Sequence, residues 1–314
     1  MLIFVTVSPE KPRAKLRLTF GKVALLTTVI GLVIGGALAY VGYRLVEREF
    51  PDVAVLKTKY PQVIYRGPKT PVQVRLVNSP PAGWTRIESI AKPAMGAIVV
   101  SEDWAFFSHE GFDANQLREA IKEDIADRRF SRGASTITMQ VVKNVFLSHE
   151  KTLYRKAKEF VLAIRLDHHV PKKRILEVYF NIAEWGEGVF GIGAAAQKYF
   201  GKHPSELTPK EGAFLAMLLP SPKRYSQSFR DKKLTNYARR TVNSILDKMS
   251  RANYITVEER DIQLAKRLPF ESGADEMNAE NSTLTPDSES VFEGDEEAET
   301  PRVLDQIPFD GENT

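Results

Sequence analysis

The chain has 314 residues, 43% of them hydrophobic and 27% charged, with no cysteine and a formal net charge of +4. The absence of cysteine excludes a disulfide framework, a thiol nucleophile and a cysteine-based zinc site. The small net charge hides an asymmetry: residues 271–314 hold fourteen acidic residues against the single Arg302, so they carry −13 and leave +17 on the rest. A basic body suits an anionic partner, whether a membrane surface, a phosphorylated substrate or nucleic acid.

Residues 1–22 form a basic segment with Lys11, Arg13, Lys15, Arg17 and Lys22, and residues 23–43 contain no charged side chain. That run has about the ~20 residues a helix needs to cross a bilayer. Positive flanks stay in the cytoplasm, so the body is predicted on the extracytoplasmic side. Ala37-Leu38-Ala39 offers an A-x-A cleavage pattern, but the apolar run continues through Tyr40, Val41 and Gly42. Its length favours a retained single-pass anchor over a cleaved signal peptide. Gly31 and Gly35 have a spacing that can pair helices, and small residues at that spacing also arise by chance in membrane spans. Residues 44–82 are proline-rich with two β-like runs, 63–65 and 72–77, and read as a juxtamembrane stalk with one hairpin.

From residue 83 to 268 the pattern is mainly helical. Residues 86–100 lead as a helix into an acidic, aromatic stretch. Leu117, Ile121 and Ile125 recur at four-residue spacing. Ser135 is placed to cap a helix running through Gln140 to Phe146. Ala157, Phe160, Val161 and Ile164 form an apolar stripe, and Pro171 suits the first turn of the next helix. Thr208-Pro209-Lys210-Glu211 is a capping box with proline at the first helical position. It opens a helix apolar on nearly all sides, hence a core helix. A last amphipathic helix covers about 235–249. Residues 269–314, rich in Glu, Asp, Ser, Thr and Pro, cannot bury enough apolar surface to offset chain entropy and are predicted to be a disordered acidic tail.

Two stretches carry the chemistry. The first, 101–113, sets Glu102 and Asp103 beside Phe106, Phe107 and His109; the second, 132–144, runs Gly133, Ser135, Thr136 and Thr138 into Gln140, Lys143 and Asn144. A carboxylate among aromatic residues can be tuned as an acid or base. A hydroxyl-rich turn followed by a lysine suits a phosphate or sugar. Arg155 and Lys156 add two cations, which on their own would equally be a solvated helix face, and Arg155 with Glu159 would equally be an ordinary i, i+4 ion pair.

Together these residues resemble the family 51 peptidoglycan glycosyltransferases, and most closely their monofunctional biosynthetic members. Glu102, Asp103, Phe106, His109 and Gly111 fill a first motif, and residues 133–144 a second, with Met139 where the family usually has glutamine. Arg155, Lys156 and Glu159 meet a third; residues 172–181 meet a fourth, with Phe180 for leucine; residues 211–222 resemble a fifth. The motifs occur in family order across roughly residues 80 to 250. The resemblance implies a mainly α, lysozyme-like glycosyltransferase domain behind the single membrane helix.

It further implies polymerisation of lipid II: the acceptor 4-hydroxyl attacks the anomeric carbon of a donor glycan bearing polyprenyl pyrophosphate, with inversion. Glu102 is the expected base, though on its own it would equally be a helix cap or a surface ion pair. Lys143, Arg155 and Lys156 are expected on the pyrophosphate. Glu159 is expected in the cleft, where it would position Lys156, stabilise charge at the anomeric carbon, or hold a divalent cation. Magnesium or manganese is thus the one cofactor entertained, with no protein metal site. Asp103, Phe106, His109, Ser135, Thr136, Gln140 and Asn144 complete the expected substrate-binding set, His109 being equally readable as structural. Lys172, Glu177, Tyr179 and Asn181 read as mainly structural. Expected partners are lipid II, the growing glycan strand, the membrane, and cell-wall synthesis or division proteins, but no nucleic acid. A lysozyme-like hydrolase with Glu159 as second carboxylate and a lipid-docking scaffold are the competing readings. Ser148-His149-Glu150-Lys151 matches a transpeptidase S-x-x-K by chance, lacking a downstream K-T-G, and His168-His169 lack the partner a zinc site would need.

Overall fold

The structure is a computed structural model that describes residues 20–116, 118–119, 135–148, 150 and 152–271. The spacing of Leu117, Ile121 and Ile125, the position of Gly133 and the acidic stretch from 272 onward lie outside the described residues. The chain divides into two units, 1–51 and 52–314.

The first unit is one helix, α1 (Phe20–Arg48). Twenty-nine residues at ~1.5 Å each span about 43 Å, more than the ~30 Å of a bilayer's hydrocarbon core. Residues Leu25–Gly42 have a mean hydropathy of 2.0 and none of them is buried within the protein. Leu25, Leu32 and Leu38 all stand exposed. An apolar helix with no protein covering it is compatible with a membrane anchor, and it continues unbroken past Ala39.

The second unit is mainly helical. It opens with a 3-10 turn, Val53–Lys57, whose start is capped by the Asp52 carboxylate accepting from Ala54 N at 2.9 Å. An antiparallel hairpin follows, β1 (Tyr60–Ile64) and β2 (Gln73–Val77), with Tyr60 opposite Val77 and Ile64 opposite Gln73. The expected hairpin is therefore present, but it is no free stalk. Arg174 donates to Leu56 O at 3.0 Å and Lys59 O at 2.9 Å, with its guanidinium 4.3 Å from the centre of the Tyr60 ring. Trp84 Nε1 donates to Glu177 at 3.0 Å. The domain thus begins near Asp52, not at residue 83, because carbonyls of the 3-10 turn and its exit supply the acceptors that Arg174 needs.

Two helical layers build the body. In the first, α2 (Lys92–Glu102) packs on α7 (Pro209–Leu218) and α10 (Asn236–Arg251). Seven consecutive residues of α2, Ala94–Val100, are buried, and so is every residue of α7. The two helices approach so closely that a Cβ on Gly212 would sit 2.5 Å from Ala94 Cα. The capping box read from the sequence is present: Thr208 Oγ1 accepts from Glu211 N, and Glu211 accepts from Thr208 N at 2.8 Å. Such a cap stabilises by about 1 kcal/mol. The apolar stripe of α10, including Val242, Ile245, Leu246 and Met249, faces this core.

In the second layer α3 (Ile137–Phe146) packs on α4 (Leu153–His169) and α5 (Lys172–Ile182). A two-strand ribbon, β3 (Glu184–Gly186) and β4 (Val189–Phe190), and α6 (Ile192–Phe200) follow α5. The short helices α8 (Pro222–Tyr225) and α9 (Gln227–Arg230) join α7 to α10, and α11 (Val257–Ala265) follows it. Leu268 and Phe270 are buried, the Phe270 ring lying 5.0 Å from Phe214 and 5.3 Å from Phe229. Packing therefore carries the body to residue 271, slightly beyond the expected boundary at 268, because this aromatic cluster is incomplete without Phe270.

Candidate active site

Glu102 is the last residue of α2, and the chain leaves that helix through Asp103. The Asp103 carboxylate faces inward. It accepts from Ile137 N at 2.9 Å, at the start of α3, and from His109 Nε2 at 2.9 and 3.0 Å. An anion at a helix N-terminus meets unpaired N–H groups and the positive end of the helix dipole. The first motif is thereby locked to the second. Thr136, not Ser135, caps α3: its Oγ1 accepts from Met139 N and donates to Gly111 O at 2.7 Å. Gly111 has φ of +87°, and a Cβ there would lie 2.6 Å from Ala163 O, so only glycine allows this loop to press against α4. Lys172 donates to His109 O at 2.7 Å, pairs with Asp167 at 2.7 Å and lies 4.6 Å from the Phe106 ring centre. Burial lowers the Lys172 pKa, and Asp167 opposes that shift.

These contacts correct several expectations. Phe106 is fully buried, Asp103 and Thr136 nearly so. Their polar atoms, and Nε2 of His109, are committed inside the protein. They hold the loop that presents Glu102, and of them Asp103 also borders the cavity. Met139 is likewise buried. Asn144 is partly buried on α3 next to Lys143 and lies off the cavity wall.

The cavity itself has a volume of about 490 Å³ and is lined by Glu102, Trp104, Ser135, Gln140, Lys143 and Lys248 among others. It opens at the seam between the two helical layers. Gln140 Nε2, from α3, donates to Glu102 Oε2, from α2, at 2.8 Å. The Tyr179 hydroxyl, from α5, lies 3.5 Å from the same oxygen and 3.4 Å from Gln140 Oε1. Desolvation raises the Glu102 pKa above its ordinary value; the bonds from Gln140 and Tyr179 and the charge of Lys143 act in the opposite direction. Burial and the neighbouring Glu102 push the Tyr179 phenol well above its ordinary value, so it stays protonated and donates.

Lys143 lines the cavity with this carboxylate, and two further cations, Arg155 and Lys156, gather around Glu159 on α4. Lys156 Nζ donates to Ser135 Oγ at 2.9 Å and pairs with Glu159 Oε1 at 2.6 Å; Arg155 pairs with Glu159 Oε2 at 2.7 Å. Glu159 is 1% exposed. Lys143 is exposed on α3, and partial desolvation leads the causes lowering its pKa, with Glu159 raising it and Lys156 and Arg155 lowering it further. Three cations around one buried carboxylate leave a surplus of positive charge, which suits a multiply charged anion. Both carboxylate oxygens of Glu159 are held, one by Arg155 and the other by Lys156. Among the described residues no three His, Asp or Glu side chains gather as metal ligands.

A larger cavity, about 560 Å³, is lined by Trp84, Asn181, Phe190, Lys202 and His203 among others, with no carboxylate. Of these two cavities, the smaller is the one with carboxylates on its wall. Glu177 and Asn181 take the structural roles read for them: Glu177 holds Trp84, Ile87 N and Arg174, and Asn181 bonds both Thr85 N and Thr85 O. Tyr179 does not, since its hydroxyl reaches the site. The available signal was that a core tyrosine needs a partner for its hydroxyl. Trp104 and Lys248 were also missed; Lys248 belongs to no motif, and only packing brings it to the cavity.

The site is thus a helical cleft with one desolvated carboxylate beside a cationic cluster. The sequence model of the Transglycosylase family matches residues 72–250, more than half of the chain, and the chain belongs to that family. It is similar to proteins named biosynthetic peptidoglycan transglycosylase. The one from Nitrosomonas eutropha is 41% identical over 156 residues, 50% of this chain and 64% of the relative. That from Brucella suis biovar 1 is 48% identical over 139 residues, 44% of this chain and 62% of the relative. The chain therefore spans a little under two thirds of the length of these relatives.

Proposed function

We propose that this protein is a membrane-anchored peptidoglycan glycosyltransferase that polymerises lipid II into glycan strands. Glu102 takes the proton of the acceptor's 4-hydroxyl as that oxygen attacks the donor's anomeric carbon. The new C1–O4 bond forms as the bond from C1 to the phosphate oxygen breaks, with inversion from α to β. The electron pair leaves with the polyprenyl pyrophosphate, whose charge is stabilised by Lys143, Arg155 and Lys156. Gln140 and Tyr179 orient the carboxylate, and its raised pKa makes it a better proton acceptor than a solvated glutamate.

The observation that carries this reading is the juxtaposition of Glu102 with Lys143 in one cavity, Lys143 also lying in the field of Arg155 and Lys156. A pyrophosphate leaving group needs such cations, and a neutral glycan does not. Of the competing hydrolase and lytic readings, an inverting hydrolase requires a second free carboxylate across a water-sized gap. Glu159 is buried and engaged by two cations, and Asp103 is engaged by His109 and Ile137 N. The names of the relatives support the same substrate class. The basic flank ahead of α1 supports a body on the extracytoplasmic face of the cytoplasmic membrane. Incubating the detergent-solubilised protein with labelled lipid II tests the proposal. Polymer on a gel is expected; shortening of preformed glycan without polymer would favour the hydrolase.

A further inference from the structure

The cavity wall has a second, separate cation. The pyrophosphate-facing residues Lys143, Arg155 and Lys156 all come from α3 and α4. The opposite layer supplies Glu102 from α2, Leu219 and Pro220 from the end of α7, and Lys248 from α10. Lys248 is the one cationic residue that this layer brings to the cavity among the described residues. Its place is set by the core, since Ile245 and Met249 beside it on α10 are buried, while Lys248 itself is exposed. The neighbouring Asp247 does not neutralise it, because Asp247 pairs with Arg260 at 3.6 Å. No ion pair or side-chain hydrogen bond engages Lys248 among the described residues. Lys156, Lys172 and Lys202, by contrast, each pair with a carboxylate of the body.

An inverting displacement brings the acceptor to the anomeric carbon from the side opposite the leaving group. With the leaving group on the α3/α4 wall, the acceptor lies against the α2/α7/α10 wall. The attacking hydroxyl is neutral and has Glu102 for its proton. An exposed ammonium on that wall, free of any carboxylate of the body, is available to a negative group carried by the acceptor. We propose that Lys248 is an acceptor-binding residue that pairs with an oxyanion of the incoming substrate, a carboxylate or a phosphate. This rests on the glycosyltransferase reading above.

The test uses the full chain in detergent and initial rates of polymerisation against lipid II concentration. Lys248→Met keeps the aliphatic stem and removes the charge. It is expected to raise KM about tenfold, the size of one lost charge-assisted contact in an open cleft, with kcat within about twofold. Lys248→Arg should restore most of the loss. Lipid II with amidated peptide carboxylates separates the two sources: if a carboxylate is the ligand, the wild-type KM rises to that of the methionine variant, and if a phosphate is, the ratio between them persists. Polymer from the wild type with unchanged KM in the methionine variant overturns the inference alone. So does an equal loss in Lys248→Arg, which would mark a packing role. Absence of polymer from the wild type overturns the glycosyltransferase reading and this inference with it.

Discussion

Exchanging Glu102 for glutamine removes the proposed base while leaving the cavity's shape. In the wild type, Oε2 accepts from Gln140 Nε2 at 2.8 Å and lies 3.5 Å from the Tyr179 hydroxyl. An amide oxygen can take both places. A charge-assisted bond of about 1.5–3 kcal/mol becomes a neutral one of about 1 kcal/mol, a loss near 1 kcal/mol. The desolvation that raises the Glu102 pKa works the other way, because the neutral amide no longer bears it. The two effects offset, so Tm should stay within about 4 °C in a domain of this size. Catalysis has no such offset. Without a proton acceptor the rate should fall about 10²–10⁴-fold, or roughly 3–5 kcal/mol of barrier. Lipid II binding should survive, since Lys143, Arg155 and Lys156 are untouched. Gel-resolved polymerisation, a binding titration and a thermal melt measure the three quantities. Polymerisation near the wild-type rate would refute the assignment and make Glu159 the next residue to test. Loss of the fold would show Glu102 to be structural.

Three further outcomes follow from the geometry. Since desolvation raises the Glu102 pKa, the acid limb of the rate profile should lie at higher pH than for an ordinary glutamate, with activity rising as the carboxyl ionises. The same shift fixes a stability sign: a folded pKa above the unfolded one favours the fold at low pH, so the wild type should lose stability relative to Glu102→Gln as pH rises from the unfolded to the folded value. Melts of both proteins across that window check it, and an opposite trend would contradict desolvation as the leading cause. A chain ending after Glu271 should keep its Tm, whereas one ending after Leu268 loses Phe270 from the cluster with Phe200, Phe214 and Phe229 and should lose about 3 kcal/mol by denaturant unfolding. Gly111→Ala, at φ +87° and against Ala163 O, should cost about 3 kcal/mol in the same measurement and slow polymerisation by loosening the loop that presents Glu102.

Much of the scaffold is local and was legible in the chain. The capping box at Thr208–Glu211, the stripe of α10 and the apolar run in α1 depend on residue spacing and on the length of a bilayer, which sequence displays directly. The motif order brought Glu102, Gln140, Lys143, Arg155 and Lys156 together as candidates. What sequence leaves open is which polar groups are already spent. Asp103, Thr136 and His109 look like free polar groups in one dimension, yet the Asp103 carboxylate, the Thr136 hydroxyl and His109 Nε2 are bonded within the loop and to α3. The spacing of Glu159 allowed an ion pair with Arg155, and the fold shows both Arg155 and Lys156 closed on it. Tyr179 reaches Glu102, and Lys248 the cavity, only because α5 and α10 converge there from distant parts of the chain. Periodicity decides which face of a helix is buried; long-range packing decides what each buried polar atom meets, and hence which groups remain free for chemistry.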